Sequence, residues 1–472
     1  MSTPPKDPKA KPFDRSIIEG PIIAAVWMLA WPTVLQNVIG GAQGIIDHAL
    51  VGHLVGYAGN AAVGVSFQIF LVVITFVMSI FTGMGVLVSR YAGAGDAEAV
   101  NHTSWQAFLA ALAMSLFILA PAGWFLAPVL LNVVHAAPEV QLQALPFLRT
   151  LFVGGLGMML GFMVSGALRA AGDARTGMRL GIAMTVLNVI FNVILIRGFG
   201  PIPSLGTMGA AIGMIMANTL VAAYGVYLLM AGGLVIHWHK GMDRSWDWPV
   251  IKQLFRFGLP AGIQGVAMNI GGVMMLRFMG SLPESGHVQA VYAVGYSELF
   301  SFITWTSVGL MGAAAAVAGQ NLGAGKPERT VRAVYVANRM GLGIAVVIGA
   351  IFLTVPGFLF DLFGMHDAQS QTLGAELLRW LAVSGVFITT ALTFSGGLTG
   401  TGDTKGPMYI SLVSQVALPI GLLLVLQSTR PLEPHHIWMA IVCGHVTRAV
   451  LSVLRFRQGK WRSIIIEAPR GA

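Results

Sequence analysis

The chain has 472 residues, of which 56% are hydrophobic and only 10% charged. Soluble domains carry about 25% charged residues, so a soluble protein is excluded and a polytopic membrane protein is indicated. One cysteine, Cys443, excludes an intramolecular disulfide and a cysteine-based metal cluster, and the formal charge of +9 has to be read against where the basic residues lie.

The N-terminal stretch MSTPPKDPKAKPFDR is polar and Pro-rich and lacks an early apolar core, so no cleavable signal peptide is expected. Twelve apolar runs then follow, each long enough to cross a bilayer, which takes about 20 residues of helix. They cover 22–47, 60–84, 104–128, 143–168, 178–198, 207–233, 253–279, 288–313, 334–360, 374–399, 406–427 and 436–455. With both termini cytoplasmic, only Arg149, Arg197, Arg277, Arg379 and Arg430 of the 28 Lys and Arg fall at outer ends. Cytoplasmic loops attract Lys and Arg. The basic excess therefore reads as topology and contact with anionic lipid headgroups, and no nucleic-acid partner is expected.

The first span, PTVLQNVIGGAQGIIDHALVG from Pro32 to Gly52, is the most unusual. Asp47 lies near its far end, where an ionisable group is costly and usually functional. Gln43 and Gln36 precede it at spacings that bring all three to one helix face. Gly40, Gly41 and Gly44 thin the same helix, so a neighbour or ligand is expected to approach its backbone. Of the 19 Asp and Glu, seventeen lie in tails, loops or span ends, and Asp47 and Glu298 lie within apolar spans. Glu298 sits in VYAVGYSELFSFITW with Tyr296, Ser297 and Trp305 nearby, a setting suited to attracting and stacking on a cation. An alternative is a protonated glutamate hydrogen-bonded between helices. Asn188 and Asn192, four apart on the fifth span, read equally as site residues or as interhelical hydrogen-bonding groups. Gln36 and Gln264 stand beside Pro32 and Pro260 and are expected to satisfy backbone groups freed by each proline. His435, His436 and His445 form no ligand pattern, and Trp246 and Trp248 read as an interfacial anchor.

The chain is written twice. LAWPTVLQ at 29–36 matches FGLPAGIQ at 257–264, an offset of 228. SRYAGAGDAEAV at 89–100 matches AGQNLGAGKPERTV at 318–331, and SGALRAAGDARTGM at 165–178 matches SGGLTGTGDTKGPM at 395–408, both offset by 230. The change of offset falls in the outer loop SLPESGH. Each unit holds six spans, so the repeats keep the same orientation in the membrane. The expected architecture is an all-α polytopic membrane protein of twelve transmembrane helices in two six-helix lobes related by duplication. A cytoplasmic tail (1–20) precedes the first lobe (21–233), a cytoplasmic linker (234–252) leads to the second lobe (253–457), and a cytoplasmic tail (458–472) ends the chain. Two equal lobes around a central cavity suit alternating access. Glycine-rich inner loops recur at 93–96, 172–173, 323–326 and 402–403; their spacing fits no phosphate-binding pattern, and they read as helix caps and tight turns.

In their order and spacing these features resemble the multidrug and toxic compound extrusion (MATE) family. They include the early WP, IIDHALVGHLVG, the GAGD loop, LRAAGD and LNVIFNVILIRGFGPIPSLGTMGAAIG, and the resemblance covers about residues 20–455. It implies a secondary exporter of cationic and amphipathic drugs or toxins, driven by exchange for protons or sodium ions. It places the coupling acid at Asp47 and polar partners at Asn188 and Asn192, where one branch has a second carboxylate. Another branch has acids at the positions of Met268 and near Thr389, and this chain has none there. Proton coupling is favoured, since a proton needs one carboxylate and sodium wants five or six oxygens. Gln36, Gln43, Gln68, Gln264, Tyr296 and Glu298 are the substrate-binding candidates, Gln68 being the repeat counterpart of Glu298. No cofactor or metal is expected beyond the coupling ion. The protein is expected to be a monomer in the inner membrane, with small-molecule substrates and lipids as partners. A lipid-linked oligosaccharide flippase of related architecture is the alternative. It would need interior Arg and Lys, for which only Arg277 has a claim. A membrane enzyme is not expected, since HExxH, GxSxG and paired intramembrane Asp or His are missing.

Overall fold

A computed structural model describes residues 9–55, 57–134, 138–201, 203–282 and 285–467. Its elements are helices. Among the described residues, eleven helices are long and apolar enough to cross a membrane, or twelve when Val140–Val153 and Gly155–Ala170, bent by 46°, count as one span. This matches the twelve apolar runs, and the bent pair is the run expected at 143–168. The bend falls at Gly154, where a Cβ would lie 2.3 Å from the Ile215 side chain. Three π-helical turns interrupt otherwise regular spans, at Ser115–Leu119, Ala293–Leu299 and Leu412–Ala417.

The described chain falls into two compact units, one of residues 9–15, 35–259 and 466–467, the other of 16–465 apart from 35–259. Neither is continuous. The first long helix, Ile22–Leu54, contains Pro32, and the seventh-span helix, Trp248–Gly280, contains Pro260. The unit boundary crosses each helix beside its proline, after Val34 and after Leu259. In the first unit a Cβ on Gly83 would lie 2.1 Å from the Leu254 carbonyl oxygen, and one on Gly258 2.5 Å from that of Ser79. The early half of the seventh-span helix thus lies backbone to backbone on the second span. In the second unit a Cβ on Gly309 would lie 3.0 Å from the Val34 backbone nitrogen, the same close approach made by the early half of the first helix. Small residues at these crossings permit it.

The four glycine-rich loops share one turn. Gly95, Gly172, Gly325 and Gly402 have φ of +79°, +105°, +70° and +99°. In each, the next residue donates its N–H to the carbonyl five residues back: Asp96 to Tyr91, Asp173 to Leu168, Lys326 to Asn321 and Asp403 to Leu398, at 2.8 to 3.0 Å. That is the Schellman arrangement, which requires a left-handed residue and so favours glycine. Asp96, Asp173 and Asp403 then cap the following helix by accepting from the N–H of Ala99, Thr176 and Gly406 at 2.9, 3.0 and 3.0 Å. Asp403 is held further by Arg455, whose Nε donates to Oδ2 at 2.7 Å. These loops are structural turns, as their spacing indicates.

The stretch between the sixth and seventh spans is clamped onto the third-span helix, Ala97–Met114. Gln106 donates to the Ser245 carbonyl at 2.6 Å and accepts from the Asp247 N–H at 3.0 Å. His102 Nε2 lies 3.1 Å from Asp247 Oδ2, both side chains being buried. Trp238 is buried against Trp105 and Phe108 and donates from Nε1 to Ser104 Oγ at 2.8 Å. Trp246 and Trp248 are exposed and stacked 6.4 Å apart, as an interfacial anchor requires. Gln106→Ala removes two of these bonds, each worth about 0.5–1.5 kcal/mol. It is expected to speed tryptic cleavage at Lys240 and Arg244 several-fold in inside-out vesicles, with helix content unchanged by circular dichroism.

Candidate functional site

Asp47 lies inside the long helix Ile22–Leu54, half-buried, and not at its end. The fifth-span helix, Ala174–Arg197, brings Thr185, Asn188 and Asn192 to face it, all three buried. Asn192 Nδ2 donates to Asp47 Oδ1 at 2.7 Å and lies 3.3 Å from Asn188 Oδ1. Gln43 Nε2 donates to Asn188 Oδ1 at 2.8 Å, and Gln43 Oε1 accepts from Thr185 Oγ1 at 2.9 Å. Asp47, Gln43, Asn188 and Asn192 therefore form one continuous hydrogen-bonded chain inside the first unit. Thr185 completes it. It stands three residues before Asn188 and seven before Asn192, one helical face, and that polar stripe is the signal that points to it.

The Asn188 amide is better satisfied turned over. Its nitrogen then donates to Asp47 Oδ1 at 3.2 Å and its oxygen accepts from the Met214 backbone N–H at 3.3 Å. Gln43 correspondingly presents its oxygen to Asn188 and its nitrogen to Thr185. In this orientation both asparagines donate to the carboxylate. Asn192 Oδ1 is buried and lacks a hydrogen-bond partner. Beside it is Gly213 on the sixth span, where a Cβ would lie only 2.2 Å away. Gly213→Ala is expected to push Asn192 off Asp47. A hydrogen bond to a charged group is worth about 1.5–3 kcal/mol, so the variant should lose stability of that order, read as a lower thermal unfolding temperature of the purified protein in detergent.

The other candidates lie elsewhere. Gln36 packs against Gly181, where a Cβ would meet its Nε2 at 2.6 Å. Its repeat counterpart Gln264 donates to Ser411 Oγ at 2.9 Å. Gly181 and Ser411 are themselves 230 apart, so the duplication is visible in the packing. For Gln264 the expectation of a backbone partner beside the proline is corrected: its amide donates to a neighbouring helix's side chain. Gln68 is exposed and makes no hydrogen bond among the described residues. At Gly40 and Gly44 a Cβ would meet nothing within 4 Å, so the space beside them is open and no described neighbour packs there.

In the second unit, Tyr296 and Glu298 lie on the π-helical turn Ala293–Leu299. Tyr296 stacks on Tyr292 at 4.9 Å and on the His445 ring at 6.5 Å. The Glu298 carbonyl accepts from the Ser301 hydroxyl. Glu298 is half-buried, and its carboxylate makes no ion pair among the described residues. The positions where one branch of the resembled family carries acids hold an exposed Met268 and a buried Thr389, the latter bonded to Ser307 at 2.8 Å. Arg277 is exposed. Arg448 is buried within the twelfth-span helix, 2% exposed, and not at a cytoplasmic end as its position in the sequence suggested.

A duplicated set of membrane-crossing helices with a polar chain around one carboxylate is the arrangement of a membrane transporter. The MatE family model matches residues 32–194 and 260–423, one stretch in each repeat, and the chain belongs to that family. It is 25% identical over 435 residues to a probable multidrug resistance protein NorM of Thermotoga maritima, covering 92% of each chain. Two solved structures share its fold. One is a MOP superfamily transporter from Pyrococcus furiosus whose binding pocket is described as of reverse polarity, with TM-score 0.87, 19% identity, and 95% of this chain and 98% of that one covered. The other is an outward-facing multidrug resistance MATE transporter, with TM-score 0.84, 20% identity and the same coverage.

Proposed function

We propose that this protein is a secondary multidrug exporter that drives cationic or amphipathic compounds out of the cell by cation antiport, with the proton as the coupling ion. The observation that carries the reading is the Asp47 carboxylate, held at 2.7 Å by Asn192 and joined through Asn188 and Gln43 to Thr185. Family membership and the names of the relatives support export of drugs. The amide chain supports coupling at this point. Ionised Asp47 favours amides that donate to it, while protonated Asp47 brings a donor of its own and relaxes that demand. Proton uptake from outside then weakens substrate binding, the substrate leaves outward, and loss of the proton to the cytoplasm resets the carboxylate. Coupling of this kind requires ion and substrate to prefer different states. Both termini are cytoplasmic on the strength of the Lys and Arg distribution, and the protein works in the cytoplasmic membrane as a monomer.

Sodium coupling is the second reading, and the unpartnered Asn192 Oδ1 beside the carboxylate favours it as a ready oxygen ligand. The deciding experiment is substrate transport in proteoliposomes under a proton gradient and a sodium gradient imposed separately. Transport driven by the proton gradient alone is expected. A response to sodium alone overturns the proton assignment, and no response to either overturns antiport.

A further inference from the structure

The second unit carries an interior positive charge that the proposed coupling scheme does not use. Arg448 is 2% exposed, and its Nε is buried without a hydrogen-bond partner. No hydrogen bond or ion pair of its guanidinium occurs among the described residues. An arginine stays ionised in proteins, and one held inside a membrane span without a counter-charge is costly and usually functional.

Its surroundings are built. His445, one helical turn earlier, is 2% exposed, and its Nδ1 is hydrogen-bonded to Ser384 Oγ on the tenth span. The His445 ring is stacked against Tyr296 at 6.5 Å and Phe300 at 6.0 Å. One turn later, Ser452 Oγ meets Ser395 Oγ at 3.5 Å. The stack on His445 places the Tyr296 ring one helical turn along from Arg448. Glu298, two residues from Tyr296, forms no ion pair with it. The π-helical turn that carries Tyr296 is a backbone irregularity often found at functional sites.

The duplication shows that the fold itself does not require this charge. With the offset of 230, the counterpart of Arg448 is Asn218, which is buried and satisfied locally by donating to the Met214 carbonyl at 2.8 Å. Conversely, the counterparts of Asp47, Asn188 and Asn192 are Met275, Leu418 and Leu422. One ancestral unit has thus given a carboxylate interior in the first unit and a guanidinium interior in the second.

We propose that Arg448, together with the Tyr296 hydroxyl, forms an anion site inside the second unit that takes a single negative charge, either a halide or the carboxylate of a transported molecule. Planar guanidinium donors suit both. The site stands independently of coupling at Asp47, because its test needs no transport.

The test is thermal unfolding of the purified full-length protein, followed by tryptophan fluorescence. Chloride or acetate replaces HEPES sulfonate, a bulky reference anion, at constant pH and ionic strength. The wild type is expected to show a saturable rise in Tm, which Arg448→Gln abolishes and Tyr296→Phe moves to several-fold higher anion concentration. A rise with chloride alone assigns the site to a free halide; a rise with acetate assigns it to a carboxylate. If Arg448→Gln does not yield folded protein, the Tyr296→Phe titration decides by itself. A wild type that responds to neither anion, or variants that respond as the wild type does, overturns the proposal.

Discussion

Asp47→Asn is expected to abolish gradient-driven export while leaving the protein folded and able to bind substrate. The amide keeps the shape of the side chain and can still meet Asn192, whose Nδ2 lies 2.7 Å from Oδ1. It cannot take up and release a proton, so the change of charge to which the amide chain responds is lost. Coupling free energies between sites are typically about 1–3 kcal/mol, or 5- to 150-fold in affinity, and all of that dependence should vanish. The measurement is a pair: substrate affinity at two pH values, and accumulation against a gradient in vesicles. Wild type should show both a pH-dependent affinity and uphill transport; the variant should show one pH-independent affinity and only downhill leakage. Uphill export by Asp47→Asn at the wild-type rate would falsify the assignment of the coupling group.

The second large effect concerns packing. Gly396 and Gly400 on the tenth-span helix are four apart, and a Cβ on either would run into backbone: 2.3 Å from the Met311 carbonyl oxygen and 2.0 Å from that of Ala315. This is a small-residue helix crossing whose separation is set by bare glycine. Gly400→Ala forces two helices apart in the heart of the second unit, and overpacking of this kind costs about 1–3 kcal/mol or more. The duplication supplies the control. The counterpart of Gly396 is Gly166, where a Cβ would meet only the Met84 methyl, at 3.5 Å, and the counterpart of Gly400 is already Ala170. Gly166→Ala should therefore unfold at the wild-type temperature in detergent, while Gly400→Ala should unfold several degrees lower and express poorly. Equal stability of the two variants would show that the crossing has slack that the coordinates do not contain.

Much of the fold was legible because the bilayer imposes a strong rule: backbone polar groups must be satisfied within the span, so apolar runs are helices. The matched loops gave the duplication, and their left-handed glycines are the physical reason that the repeat survives there. Asp47 and the two asparagines could be named because acids and amides in apolar runs stand out. Their union with Gln43 into one chain, and the entry of Thr185, depend on how the fifth span is rotated, which no local pattern states. Arg448 was misplaced for a related reason. Counting basic residues at span ends does not say which of them turn inward, and Arg448 lies within the helix Pro434–Arg457 on its buried side. The contrast between Gly213, which abuts Asn192, and Gly44, which abuts nothing, is likewise a matter of tertiary neighbours.

The exchange of half-helices at Pro32 and Pro260 bears on how the polypeptide is made. Residues 16–34 leave the ribosome among the first, yet the body they complete ends at 465. The other body must wait for residues 248–259 before its second span is covered. Biogenesis therefore cannot proceed as two successive, self-sufficient events, and the first-synthesised segment has to be held uncommitted in the membrane until nearly the whole polypeptide has been inserted.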